Sequence, residues 1–528
     1  MGRIADKSKN LLHFMDTNSL TYRTLKNISY RFTAYLWPII FSILITPIIV
    51  FRLGVKDYGI YIFITTVLGL LNLLDMGVST AVTKFLAEYQ GRDDLTRVKK
   101  LIFSANSLFL LAGLAGFAIT ASLAIIGHFF FPNRIINEQY YLILFLLAGI
   151  NFLTTSVNML YTVIPEALQR FDISSKINIV YLTLSALANL ILVLLGYKLI
   201  AIFLAQLILT LIFAVVRRYY ALLILPEARY RFAWDKEEIK KCYRFGLALV
   251  ANSTASISLA SLDRLIIPIF VGPAQLSYYS LPGNVAARIP GVTDNLVGVI
   301  FPATAHLSGA GDHERIQRFY IRSVRLIVII ASAITFSIIF LAYKILQYWL
   351  STDFALASSG ILVILALTNF VISILSPVTG FFFGLGKVKF SSYLSLVMAA
   401  LNALLLFILL PRYGIYGAAW AYLISVLPIF YMFYFIENKH LKLTGRGRYY
   451  LRFSGQIMTT TAIFFLVVKF LISPWIVNLF TLAIGGPLAV IVFLAIYNFL
   501  GFNAPEDRDD LQKFTKHLIL KFSGKNRS

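Results

Sequence analysis

The chain has 528 residues, of which 59% are hydrophobic and only 13% are charged. Soluble globular domains carry about 25% charged residues, so this composition excludes a soluble protein. The formal net charge of +23 is of the size expected for a nucleic-acid-binding protein, but the position of the basic residues argues against that function.

Fourteen apolar blocks are each long enough to cross the hydrocarbon core of a bilayer, which takes about 20 helical residues. They lie at 33–51, 58–83, 101–127, 139–164, 175–196, 199–216, 247–271, 275–304, 323–348, 358–384, 390–410, 413–435, 455–473 and 475–500. The sequence therefore predicts an all-α integral membrane protein with fourteen transmembrane helices, here called spans 1 to 14.

The basic residues alternate in number from one connection to the next. If the N-terminus is cytoplasmic, 38 of the 47 Lys and Arg fall on the inner side and 7 on the outer side. This bias is a strong positive-inside signal, and it predicts a multi-pass cell-membrane protein with both termini in the cytoplasm. The basic inner surface is expected to attract anionic membrane lipids.

No pattern in the chain indicates catalysis or a cofactor. A single Cys242 excludes an intrachain disulfide framework. The His residues have no metal-ligand spacing, and no Gly-Lys-Ser/Thr phosphate loop is present. About 32 mostly polar residues precede span 1, so a cleaved signal peptide is not expected. We expect no metal, no cofactor, no nucleic-acid partner and no enzymatic activity.

Spans 1–6 resemble spans 7–12 at a nearly constant separation. The matches are Tyr30-Arg31-Phe32 with Tyr243-Arg244-Phe245, Leu53-Gly54 with Val271-Gly272, Asp75 with Asp294, Asn189 with Asn402, and Tyr197 with Tyr413. Because six spans is an even number, both copies share one orientation, which predicts two parallel repeats related by an axis along the membrane normal. Secondary transporters often have this plan, with the substrate site between the halves. The alternative is an ancestral duplication in a protein that no longer transports.

These patterns predict six consecutive segments. They are a cytoplasmic tail 1–32, an N-lobe 33–216, a cytoplasmic linker 217–246, a C-lobe 247–435, two extra C-terminal helices within 436–500, and a cytoplasmic tail 501–528.

Several motifs resemble those of the polysaccharide repeat-unit (O-antigen type) flippases. They are Arg52-Leu53-Gly54 with Tyr58-Gly59, Asp75-Met76-Gly77, Asp263-Arg264, Phe301-Pro302, and the run from Pro411 to Ala421 entering span 12. This family belongs to a superfamily that also contains multidrug extruders and the lipid II flippase. The resemblance covers about residues 25–436. It implies two six-helix lobes, a central cavity, and movement of an isoprenoid-pyrophosphate-linked oligosaccharide to the outer leaflet.

Five ionisable residues lie well inside predicted spans, away from their ends: Asp75, Asp263, Arg264, Arg288 and Asp294. Each costs about 2.5–3.5 kcal/mol if it faces lipid at the bilayer centre, so each is expected to face the bundle interior or water. Arg288 lies near the Pro290-Gly291 interruption of span 8, and a guanidinium binds phosphate oxygens bidentately. We predict that Arg288 and Arg264 bind the substrate's phosphates, although Arg264 can equally form a structural ion pair.

The two matched carboxylates, Asp75 and Asp294, are candidates either for ion coupling or for lobe packing, and Asp263 shares that ambiguity. Neutral polar side chains form two helical stripes, one with Asn252 and Ser256 in span 7 and one with Asn151 and Asn158 in span 4. Both stripes are candidates for sugar binding or for hydrogen bonds between helices.

The sequence thus favours a flippase for lipid-linked oligosaccharides in cell-surface polysaccharide synthesis. Its partners would be the lipid-linked substrate, membrane lipids, and a polysaccharide polymerase with its glycosyltransferases. The alternatives are a cation-coupled multidrug exporter, a lipid II flippase, and a membrane glycosyltransferase or polymerase. The last class usually has a large outer loop, and the longest outer loops here have about a dozen residues.

Overall fold

The structure, a computed structural model, describes residues 41–130, 138–229, 233–309, 312–385, 388–443 and 446–502. The predicted tail 1–32 and almost all of the tail 501–528 lie outside these ranges. Every regular element within them is helical.

The chain forms two compact units, residues Met1–Ser277 and Tyr278–Ser528. In the first unit the helices are α1 (Phe41–Leu53), α2 (Val55–Leu71), α3 (Val78–Gly91), α4 (Leu95–Phe130), α5 (Glu138–Val157), α6 (Met159–Ala167), α7 (Phe171–Leu194), α8 (Leu199–Ile224) and α9 (Lys236–Val271). Helix α10 (Pro273–Ala286) crosses the boundary between the units.

The second unit continues with helices that range from 3 to 39 residues in length. These are α11 (Arg288–Gly309), α12 (His313–Trp349), α13 (Thr352–Gly384), α14 (Val388–Val426), α15 (Phe430–Phe435), α16 (Gly447–Val467), α17 (Ser473–Trp475) and α18 (Leu479–Phe499). Helices α16 and α18, which carry predicted spans 13 and 14, pack against α12 around a core that includes Phe464 and Phe493.

Ten helical segments within the described ranges are long and apolar enough to cross a membrane. This confirms an all-helical, multi-pass membrane protein. One of the ten, Phe390–His440, contains predicted spans 11 and 12, and α14 departs from helical geometry inside it, at Gly414. The total of fourteen spans stays a prediction.

Predicted span 2 is not one straight helix. Helix α2 ends in a short 3₁₀ turn, Asn72–Asp75, and Met76 and Gly77 then adopt left-handed conformations before α3 begins. A Cβ atom on Gly77 would lie 2.8 Å from the Cα of Gly246 on α9. The Asp75-Met76-Gly77 motif therefore turns the chain and lets the backbones of α3 and α9 come into direct contact.

We expect Gly246→Ala to destabilise the protein by about 1–3 kcal/mol, the usual cost of overpacking, because the added methyl group would overlap the Met76 carbonyl. The melting temperature in detergent measures this effect. Gly91→Ala is the matched control, since a Cβ there meets nothing within 4 Å. Equal melting temperatures for the two variants would show that this backbone contact is not tight.

The beginnings of α2 and α10 contact each other reciprocally. A glycine with a positive φ angle comes directly before each helix, Gly54 before α2 and Gly272 before α10. The Ser277 hydroxyl donates a hydrogen bond to the Val55 carbonyl at 2.6 Å, and a Cβ on Gly59 would meet the Pro273 carbonyl. Val55 and Gly59 precede Pro273 and Ser277 by 218 positions, as Gly54 precedes Gly272.

Gly196 and Gly414 form a second pair of glycines with positive φ angles, and they are also 218 positions apart. Gly196 lies within the connection between α7 and α8, and Gly414 is the non-helical residue inside α14. The separation within each pair of glycines is close to the separation of the matching sequence positions in the two halves of the chain.

The core of the first unit lies where α3, α4, α6 and the beginning of α9 meet. Its fully buried members include Val82, Leu101, Ile164 and Cys242. This core fixes the predicted inner ends of these helices and the start of α9. The limits predicted for the N-lobe, the linker and the C-lobe remain predictions.

Candidate substrate-binding site

Arg288 is the first residue of α11 and is half-buried. Regular helical structure is interrupted only at Ala287, whose N–H still bonds to the Gly283 carbonyl at 2.9 Å. The interruption predicted from Pro290-Gly291 is therefore present but shallow. Arg288 forms no ion pair with a carboxylate among the residues that the structure describes. Its charge is not neutralised within that part of the chain.

Arg264 and Asp263 lie on α9 in the first unit, and Asp263 is buried. Both interact with other residues, and Arg264 is close enough to the Tyr58 hydroxyl to interact with it electrostatically. Asn252 and Ser256 lie on the same helix, but their side chains are outside the described part of the structure. Contact of any of these residues with substrate stays a prediction.

Asp75 accepts hydrogen bonds from the main-chain N–H of Ser79 at 3.2 Å and from its hydroxyl at 2.8 Å. It thus satisfies an otherwise unpaired donor in the first turn of α3. Asp294, its sequence match, is exposed and hydrogen-bonded to Ser376. The Asp75 geometry favours helix capping over ion coupling.

We expect Asp75→Asn to keep both folding and transport, because an amide oxygen can accept the same two hydrogen bonds. Asp75→Ala should lower the stability by about 0.5–2 kcal/mol, the usual cost of losing a cap. Melting temperatures and transport per molecule of inserted protein measure the two effects. Loss of transport in a stable Asp75→Asn protein would instead show that the carboxylate carries a proton or a cation.

A network of neutral polar side chains connects several helices of the first unit. Thr210 on α8 donates a hydrogen bond to the Asn151 amide oxygen at 3.2 Å, and its hydroxyl lies 3.3 Å from that of Tyr181 on α7. Gln206, one turn before Thr210, donates to the Tyr61 hydroxyl at 3.3 Å. Hydroxyl and amide groups of this kind are the donors and acceptors that sugars require.

The two candidate asparagines of span 4 differ in their partners. Asn151 bonds across helices to Thr210, so it holds α5 and α8 together. Asn158 lies at the irregularity between α5 and α6, and its amide donates to the Thr154 carbonyl of its own helix at 2.8 Å. Asn151 therefore belongs to the interhelical network, whereas Asn158 serves local helix structure.

The sequence alone does not reveal two buried carboxylates, because each bonds to a tyrosine far away along the chain. Glu238 accepts hydrogen bonds from Tyr89, at 2.9 Å, and from Lys241. This bond to the carboxylate raises the pKa of Lys241. Glu437 accepts hydrogen bonds from Tyr320 and Tyr450. Both clusters join helix ends, and we assign them a structural role.

The chain is similar to one protein family and to individual proteins. Residues 49–359 match the model of a family described as polysaccharide biosynthesis protein. A putative O-antigen transporter of Shigella flexneri is 22% identical over 418 residues, which are 76% of this chain and 95% of that protein. An uncharacterised membrane protein of Bacillus subtilis, EpsK, is 22% identical over 411 residues, or 76% and 80% of the two chains.

Two groups of solved structures share the fold. The inward closed conformation of the lipid II flippase MurJ superposes with a TM-score of 0.68 at 14% identity, over 90% of this chain and 100% of MurJ. An inward-facing multidrug transporter of the MATE family and MOP superfamily superposes with a TM-score of 0.61 at 14% identity, over 78% and 96% of the chains. At this level of identity the likeness shows the fold alone.

Proposed function

This chain belongs to the polysaccharide biosynthesis protein family, and on that premise we propose that it is a flippase. Its cargo would be an isoprenoid-pyrophosphate-linked oligosaccharide repeat unit, moved from the inner to the outer leaflet for cell-surface polysaccharide synthesis. The observation that carries the proposal is the likeness to the putative O-antigen transporter, which extends over 95% of that protein. The MurJ-like fold supports it, because MurJ is a flippase for a lipid.

The proposed architecture has fourteen membrane-spanning helices, of which twelve form two parallel six-helix repeats. The reciprocal contact between Val55–Gly59 and Pro273–Ser277 supports this plan, and so do the two pairs of left-handed glycines. Parallel repeats of this kind typically transport by rocking one half against the other around a fixed substrate site.

In the proposed mechanism the cationic residues bind the pyrophosphate and the neutral network binds the glycan. Arg288 supplies a half-buried guanidinium, and Arg264 is the second candidate. The hydroxyl and amide groups around Thr210 and Asn151 would exchange hydrogen bonds with sugar hydroxyls. The isoprenoid tail would stay in the lipid while the head group crosses.

Two rivals share the fold, the multidrug exporter and the lipid II flippase. A cation-coupled multidrug exporter is expected to have acidic groups without basic partners in its cavity, whereas the predicted spans of this chain also supply two arginines, Arg264 and Arg288. Lipid II also carries a pyrophosphate and a glycan, so the head group alone distinguishes it from the proposed cargo. The likeness to the O-antigen transporter favours a polysaccharide repeat unit.

Deletion of the encoding gene in its host tests this proposal. Cells without the protein should lose surface polysaccharide and accumulate the lipid-linked repeat unit on the inner leaflet, and Arg318→Ala, an exposed inner-side substitution, should restore export like the wild type. Normal surface polysaccharide in the deletion strain, without any accumulated precursor, would contradict the proposal.

The proposed orientation predicts which positions a membrane-impermeant thiol reagent reaches. Cysteine at Lys198, an exposed residue of a predicted outer connection, should label in intact cells, whereas cysteine at Lys99 should label only after permeabilisation. Cys242 should stay silent in both conditions, because burial raises the pKa of its thiol to about 12 and the thiolate is the reactive form. Labelling of position 99 in intact cells, with no labelling of position 198, would show that the chain has the opposite orientation in the membrane.

A further inference from the structure

A polar cavity of about 210 Å³ lies in the first unit among α6, α7 and the end of α8. Seven of its nine lining residues are polar, and Pro165 and Ile177 are the two apolar ones. Small-molecule sites usually measure about 300–1,000 Å³, so this cavity suits a head group better than an oligosaccharide. It lies apart from Asn151 and Thr210, which do not line it.

Each of the three helices contributes one polar side chain to the cavity wall that is available to a ligand. These are Thr162 of α6, Asn178 of α7 and Arg217 of α8. Within the described part of the chain, none of the three forms a hydrogen bond or an ion pair. Thr162 and Arg217 are half-buried and Asn178 is exposed, so none is sealed inside the protein. The cavity therefore offers a guanidinium, a hydroxyl and an amide.

The Arg217 guanidinium is held by an aromatic ring. It lies 5.4 Å from the centre of the Tyr181 ring. A ring contact of this kind supplies no oxygen acceptor, so the five N–H donors of the guanidinium still need oxygen partners. A planar guanidinium binds two oxygens of one phosphate group at once, and each of these bonds is charge-assisted. Arg217 is thus suited to a phosphate that enters the cavity.

The other charged and aromatic groups nearby are not assigned to the ligand. Arg218 lies over the Tyr161 ring at 5.9 Å but does not line the cavity. The Tyr161 hydroxyl is closed off by burial, and Glu166, which lines the cavity, already interacts with another residue. Because the two arginines outnumber this carboxylate, the surroundings favour an anion, and the neutral donors and acceptors of Thr162 and Asn178 suit hydroxyl groups.

The helix faces around the cavity are apolar and exposed, as surfaces that face lipid should be. Val180 and Leu184 on α7 and Val215 on α8 are exposed by 49%, 42% and 70%. Tyr219, one turn after Val215, is exposed by 61%, and tyrosines concentrate at the membrane–water interface. A molecule seated in this cavity would have its polar part at the depth of lipid head groups and its apolar part along α7 and α8.

We propose that this cavity binds an anionic phospholipid with a hydroxylated head group, of the phosphatidylglycerol type. Arg217 binds the phosphate, and Thr162 and Asn178 bond to the glycerol hydroxyls. Basic pockets between membrane helices on the cytoplasmic side commonly hold anionic head groups, and Arg217 lies at the predicted inner end of span 6. The proposal requires only that the chain spans a membrane, so it stands whether or not the chain is a flippase for oligosaccharides.

Native mass spectrometry of the full chain, released from detergent with added lipids, tests the proposal. The wild type should retain phosphatidylglycerol at least about fivefold better than phosphatidylcholine, whose choline places a second positive charge near Arg217. Arg217→Gln should lower phosphatidylglycerol binding about tenfold or more, because it removes one partner of a charge pair. Asn178→Ala and Thr162→Val should each lower it about threefold, the cost of one neutral hydrogen bond, and should leave the binding of phosphatidic acid, which lacks the glycerol, unchanged.

Arg218→Gln is the matched control, since it removes the same charge from the next residue, which does not line the cavity. It should bind phosphatidylglycerol like the wild type, and so should Tyr161→Phe, because its hydroxyl is closed off. Melting temperatures identify variants that fail to fold. If Arg217→Gln fails, the exposed Asn178→Ala decides, through its different effects on phosphatidylglycerol and phosphatidic acid.

Three results would overturn the proposal. Equal losses in Arg217→Gln and Arg218→Gln would show that the lipid is attracted by the basic surface as a whole. Unchanged binding in Arg217→Gln, or a preference for phosphatidylethanolamine, would show that the head group is read by other residues. Displacement of phosphatidylglycerol by equimolar farnesyl diphosphate or inorganic phosphate would assign the site to an isoprenoid carrier or to a soluble anion.

Discussion

Arg288→Ala should reduce export of the lipid-linked repeat unit at least about 30-fold while leaving the protein folded and inserted. The guanidinium forms no ion pair within the described part of the chain, so its removal leaves no described carboxylate unpaired. In the proposed mechanism the partner of this guanidinium is the pyrophosphate of the substrate. Truncating one partner of a buried charge pair costs about 2–5 kcal/mol, and about 1.4 kcal/mol changes an equilibrium constant by a factor of ten. The measurement is export normalised to the amount of protein in the membrane.

Arg288→Lys separates charge from geometry. Lysine keeps the positive charge but lacks the planar fork that binds two phosphate oxygens, so we expect partial activity. Arg318→Ala, an exposed arginine of the same unit, is the control and should export normally. Full normalised export by Arg288→Ala would mean that this arginine is structural and that the pyrophosphate binds elsewhere.

Gly59→Val should prevent stable folding. A Cβ on Gly59 would overlap the carbonyl group of Pro273 at the beginning of α10. That carbonyl is backbone and cannot swing away as a flexible side chain can. We expect a loss of more than about 3 kcal/mol, at or above the upper end of overpacking costs. The yield of monodisperse protein after detergent extraction and its melting temperature measure the effect.

Gly69→Val is the matched control, because Gly69 lies on the same helix and a Cβ there meets nothing within 4 Å. It carries the same β-branched residue and therefore the same local loss of helix propensity. Wild-type stability of Gly59→Val would contradict the close approach of α2 and α10. It would also remove the strongest support for the proposed pair of six-helix repeats.

Residues whose role depends on backbone geometry could be recognised in the sequence. The Tyr58-Gly59 and Asp75-Met76-Gly77 motifs correspond to a close approach and to a left-handed turn, and both features require glycine. The matching of Leu53-Gly54 with Val271-Gly272 is reproduced in the conformations of the two glycines. The length of the apolar blocks could also be used to recognise a membrane protein, because the thickness of the bilayer fixes the length of a spanning helix.

Side-chain partners could not be predicted in the same way. The helical spacing of the polar residues Asn151 and Asn158 is visible in the sequence. Only the packing of the helices shows that Asn151 bonds to Thr210, 59 residues away along the chain. The carboxylate of Glu238 depends on Tyr89, 149 residues away. A polar cavity beside Arg217 is lined by residues of α6, α7 and α8, none of which has a distinctive motif. Such sites depend on tertiary contacts, which one sequence does not contain.

The most direct test of the proposed function is flipping by the purified chain in proteoliposomes. An isoprenoid-pyrophosphate-linked repeat unit is placed in both leaflets, and an impermeant glycosidase trims the glycans that reach the outer surface. We predict that the protein makes nearly all of the substrate accessible, that Arg288→Ala leaves about half protected, and that lipid II moves more slowly. Half-protection with the wild-type protein, or movement of lipid II alone, would contradict the account.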